Sequence, residues 1–79
     1  MATLRWNGQS TLAPSLSTVY LQAFNRTLSS WVNVTSNNLE NANTDFDLNG
    51  TLPTNGYNLS DFKDSNGYIA CRVYQEVVV

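Results

Sequence analysis

Seventy-nine residues make one domain with a thin core, because a chain of this size buries only about 60–65% of the surface its unfolded form exposes. Charged residues make up 13% of it and the net charge is −2, with Arg5, Arg26, Lys63 and Arg72 as the only cations. That balance argues against nucleic acid as a partner, since binding it needs a basic patch. Polarity comes instead from Asn, Thr, Ser and Gln, which suits an extracellular β-protein with Asn and Gly in its turns and Thr in its strands.

Residues 3–6 (TLRW) alternate, with Leu4 and Trp6 on one face and Thr3 and Arg5 on the other. Asn7-Gly8 reads as a turn, and 9–17 (QSTLAPSLS) as a loop in which Pro14 permits only an edge or a crossing. Residues 18–25 (TVYLQAFN) form the second strand, with Val19, Leu21 and Ala23 opposite Tyr20, Gln22 and Phe24. A short polar connector leads to the return strand at 30–35 (SWVNVT), with Val32 and Val34 on one face and Trp31 and Asn33 on the other. A helix over 18–35 is rejected, because the apolar spacing is 2 and β-branched, Asn, Thr and Ser residues dominate.

Residues 36–43 read as a loop or one helical turn. Residues 44–51 (TDFDLNGT) give the cleanest alternation, with Phe46 and Leu48 inward and Asp45, Asp47 and Asn49 outward. After a turn-rich stretch, Leu59-Ser60-Asp61-Phe62 is expected to plug one end of the core. Asp64 to Gly67 then turns the chain into 68–79 (YIACRVYQEVVV), which has apolar groups on both faces and is expected to be the central strand.

Few residues suggest chemistry. Without histidine, Ser-His-Asp, Cys-His and His-zinc arrangements are excluded. Asp45-Phe46-Asp47-Leu48-Asn49-Gly50 copies the first half of a calcium loop, but position twelve is Gly56 where a bidentate Glu is needed, so the strand reading is preferred. No cofactor or metal is expected, and no pair of acids in an evident cleft suggests an enzyme. Cys71, the one cysteine, cannot form a disulfide within the chain and is expected to be a buried small hydrophobe. Lys63 is expected to be solvated among turn residues. Asn25, Asn33, Asn49 and Asn58 each begin an N-x-S/T sequence, a number not far above chance in so Asn- and Thr-rich a chain. No stretch resembles a signal peptide or a membrane span, so membrane insertion is not expected and an export signal would lie outside these 79 residues.

With the strands placed, the succession Trp6-Asn7-Gly8, Leu12-Ala13-Pro14, Thr18-Val19-Tyr20, Trp31, Asp45-Phe46, Leu59-Ser60-Asp61-Phe62 and Arg72-Val73-Tyr74 resembles β-sandwich modules of large secreted or surface proteins of prokaryotes. The likeness spans nearly the whole chain, rests on core and turn residues, and carries no catalytic signature. It implies an immunoglobulin-like, fibronectin-like or jelly-roll module serving as spacer, adhesive unit or assembly unit. The expected fold is all-β: a small antiparallel Greek-key β-sandwich of about six or seven strands, spanning 1–79 as a single module of a longer chain. The expected function is non-catalytic and structural, at the cell surface or outside the cell. Its partners are expected to be neighbouring copies or domains, joined by strand addition through Val77, Val78 and Val79. The alternative is a carbohydrate-binding module that presents Tyr57, Tyr68 and Tyr74 to glycans.

Overall fold

The computed structural model describes residues 1–76. It is all-β apart from one short 3-10 turn, and its five strands form two antiparallel sheets. Strand β1 (Ala2–Gly8) pairs with β4 (Phe46–Leu52). Strand β2 (Val19–Asn25) lies between β3 (Ser30–Asn37) and β5 (Cys71–Gln75). The inner faces supply one core of Leu4, Val19, Leu21, Ala23, Val32, Phe46, Leu48 and Leu52, which Phe62 closes from the loop side.

The residues grouped by alternation at 3–6 and 18–25 do share faces, with Leu4 and with Val19, Leu21 and Ala23 turned to the core, and Phe46 and Leu48 face inward as expected. Asn7-Gly8 does not turn the chain but finishes β1 opposite Asp47 and Phe46, because Gly8 leaves room for the Trp6 ring. A Cβ on Gly8 would come within 2.6 Å of Trp6 Cζ2. On β3 the register slips: Gln22 faces Asn33 while Leu21 faces Thr35, leaving Val34 as the extra residue of a bulge. Val34 packs against the core and occupies the space above Gly50, where any Cβ would collide with it.

Within 68–76, the described part of the stretch expected to be the central strand, the chain takes an edge position instead. β5 is an edge strand paired to β2 alone, and β2 is central, with four of its seven residues facing the core or buried at its end. Among the described residues the strand ladder covers 71–75 and β5 has one neighbour; its inward residues Cys71 and Val73 stay exposed because no described strand of the other sheet covers them. The expectation that Cys71 is buried fails for that reason. Val77, Val78 and Val79 lie outside the described residues.

The corner at Leu59–Asp61 forms as expected, and Phe62 behind it is fully buried. The Asp61 carboxylate accepts the Asn58 N–H at 2.9 Å and the Thr27 hydroxyl at 2.8 Å, so one acid ties the corner to the β2–β3 loop. The long 9–18 loop is held by Gln75, whose amide donates to the carbonyls of Leu12 and Ser17 at 2.9 and 2.8 Å while its oxygen accepts the Ser10 hydroxyl at 2.6 Å.

Candidate binding surface

The outward face of β3–β2–β5 is laid out in three rows. Gln22 stands in register between Asn33 and Arg72, forming a polar row. On one side lie Phe24 and Trp31, and on the other Tyr20 and Tyr74. The period-2 alternation of β2, β5 and the part of β3 before its bulge puts these seven side chains on one face.

The polar row is continuous. Arg72 Nε donates to Gln22 Oε1 at 2.6 Å, and Gln22 Nε2 donates to Asn33 Oδ1 at 2.8 Å. Gln22 is 8% exposed, so both ends of its amide need these partners. Arg72 Cζ sits over two rings, 4.3 Å from the Trp31 ring centroid and 4.9 Å from that of Tyr74. Phe24 meets Trp31 edge to face, with centroids 5.2 Å apart.

Two hollows lie elsewhere. The outward face of β1–β4 forms a shallow depression of about 720 Å³ lined by short polar groups, Thr3, Asn7, Asp47, Asn49 and Thr51, with Arg5. There Asn7 donates to Asp47 at 2.6 Å, and the strand spreads Asp47 and Asn49 along its surface. Among the described residues, no three His, Cys, Asp or Glu side chains converge to hold a metal ion. The second hollow, about 400 Å³, opens between the edges of β1 and β5 and is lined by Trp6, Leu21, Cys71 and Val73, with Arg5 and Arg72 at its rim. Cys71 is exposed as a residue, but its thiol is partly desolvated against the hollow, which pushes its pKa up from the ordinary value.

The three tyrosines singled out in the sequence occupy different settings. Tyr74 joins the three-row face beside Arg72. Tyr57 is half-buried and packs edge to face on Phe62, with centroids 6.2 Å apart. Tyr68 is 70% exposed in the turn before β5. Sequence reading missed Arg72, Gln22 and Asn33, though a period-2 reading of β2, β3 and β5 taken jointly would have aligned them. Of the N-x-S/T asparagines, Asn33, Asn49 and Asn58 are exposed, whereas Asn25 is fully buried and accepts the Leu28 N–H at 3.0 Å. Lys63 is exposed, bridged through its backbone to Ile69. Compared with protein-family models, with curated proteins and with solved structures, the chain matches none.

Proposed function

We propose that this chain is a non-catalytic assembly module of an extracellular or surface protein, completed by a β-strand from a neighbouring copy. The observation that supports this reading is the open side between β1 and β5. A two-stranded sheet over a three-stranded one leaves the inward face of β5 uncovered, and the apolar hollow lined by Trp6, Leu21, Cys71 and Val73 lies there. A strand added beside β1 would cover Cys71 and Val73, satisfy the free edge of β1 and bring the Greek-key sandwich to six strands. Val77, Val78 and Val79 of the neighbour have the apolar, β-branched character this position needs. Composition supports the location: few charges, with polarity carried by Asn, Thr and Ser.

Light scattering over a concentration series tests this on three proteins: the full chain, one lacking Val77, Val78 and Val79, and Val73→Asp. The full chain is expected to form dimers or longer assemblies. The shortened chain and Val73→Asp, which puts a charge in the apolar hollow, are expected to be folded monomers. A full chain that stays monomeric at the highest concentration reached overturns the reading.

A further inference from the structure

We propose that the outward face of β3–β2–β5 binds a saccharide carrying a carboxylate, with Arg72 and Asn33 holding the carboxylate and the ring of Tyr74 or Trp31 meeting the sugar. This surface is separate from the open side that supports assembly.

In the polar row each side-chain carbonyl already has a donor: Gln22 Oε1 takes Arg72 Nε, and Asn33 Oδ1 takes Gln22 Nε2. What remains is donors. Among the described residues, the two Nη groups of Arg72 and the amide N–H groups of Asn33 have no hydrogen-bond partner, and no carboxylate pairs with Arg72. Both residues are exposed. A row with spare N–H groups and one uncompensated positive charge complements an acceptor of negative charge, and a guanidinium with a planar fork suits a carboxylate in particular.

The fork is also held in place before any ligand arrives. Its Nε is fixed by the buried Gln22, and its Cζ is held over the Trp31 and Tyr74 rings at 4.3 and 4.9 Å. Little rotamer freedom is left for Arg72 to lose on binding. The aromatic rows on both sides favour a pyranose over a flexible acidic side chain, because a sugar's apolar C–H face can lie on a ring while its carboxylate reaches the central row. The chain's net charge of −2 opposes a dense polyanion, so the fitting ligand carries isolated carboxylates.

The test is NMR titration of the intact chain at low salt with methyl glucuronide, methyl glucoside and triglutamate. With the glucuronide, shifts are expected at the Trp31 indole N–H, the Asn33 side-chain amide and the Arg72 Nε–H, and binding is expected to weaken as salt is raised. The glucoside, which lacks the carboxylate, is expected to bind about tenfold more weakly or worse, as loss of a charge-assisted pair implies. Arg72→Gln is expected to weaken glucuronide binding by about tenfold or more. Asn33→Asp supplies an independent check: it keeps an acceptor for Gln22 but replaces the donor with a negative charge, and is expected to abolish the shifts in a chain whose remaining spectrum is native. Equal binding of glucoside and glucuronide, unchanged binding by Asn33→Asp, or no glucuronide response at all overturns the proposal. A response to triglutamate stronger than to the glucuronide overturns it in favour of an acidic peptide.

Discussion

Gln75 holds more of the molecule than its place at the end of an edge strand suggests. Its amide makes three hydrogen bonds to the 9–18 loop, two to carbonyls and one from Ser10. Gln75→Ala is therefore expected to lower stability by about 2–3 kcal/mol in urea unfolding, at about 1 kcal/mol per bond. Gly50 is constrained by space instead: Val34 of the bulge fills the position its side chain would take. Gly50→Ala is expected to cost about 1–3 kcal/mol, the usual range for an overpacked contact. Asp64 sets a pH dependence. Its carboxylate accepts the N–H groups of Tyr68 at 2.9 Å and Asn66 at 2.8 Å, and these bonds, led by that from Tyr68, hold its pKa below the ordinary 3.8. Because the folded pKa is the lower one, the contribution is full well above the ordinary 3.8 and is lost as pH falls through the folded value. Asp64→Asn is expected to flatten the acid limb of a stability-against-pH curve. None of these roles was legible beforehand. A turn at 64–67 was, since Asp, Asn and Gly mark turns; the partners of Gln75 lie 58 to 65 positions away in the chain, and no local pattern announces them.

At the scale of elements, alternation revealed which residues of β1 and β2 share a face and which of β4 face the core, because one-sided burial writes a period of 2 into the sequence, whereas β2, apolar on both faces, left its inward side open. It did not reveal how many neighbours a strand has. β5 reads as central because both its faces are apolar, yet among the described residues it pairs only with β2, and the residues that looked ready for burial remain exposed on the open side. The bulge at Val34 was equally hidden, since an inserted residue keeps the apolar character of its strand. The ladder of β5 makes a prediction. Phe24 N–H donates to the Ala70 carbonyl at 2.9 Å, so by antiparallel alternation Gln22 and Arg72 form a bonded pair and Val73 points its N–H to the free edge. Arg72→Pro, which breaks the ladder, is expected to cost about 1–3 kcal/mol more than Val73→Pro, which does not. Thermal unfolding of the two variants decides it.

As a whole, the described residues bury a core of eight side chains from two sheets, one of them two strands wide, closed by Phe62. Its all-β class and both antiparallel sheets follow from composition, turn residues and short alternating runs. The expected six or seven strands exceed the five among the described residues, and the shortfall falls at the side proposed to receive a neighbour. If that neighbour supplies part of the core, stability depends on protein concentration. The midpoint of thermal unfolding is expected to rise with concentration for the full chain and to stay constant for one lacking Val77, Val78 and Val79. Calorimetry at several concentrations distinguishes the two.

The buried side chain of Asn25 gives the β2–β3 hairpin an unplanned use as a clock. Asn25-Arg26-Thr27 is an acceptor sequence for N-glycosylation, yet Asn25 has no exposed surface in the folded chain, whereas Asn33, eight positions on, is open. In a secretory pathway that modifies nascent chains, a glycan on Asn25 can be attached only before the hairpin closes, while Asn33 stays available afterwards. The ratio of occupancy at the two asparagines would therefore time folding against synthesis, and a chain modified at Asn25 would carry a record of having been caught unfolded.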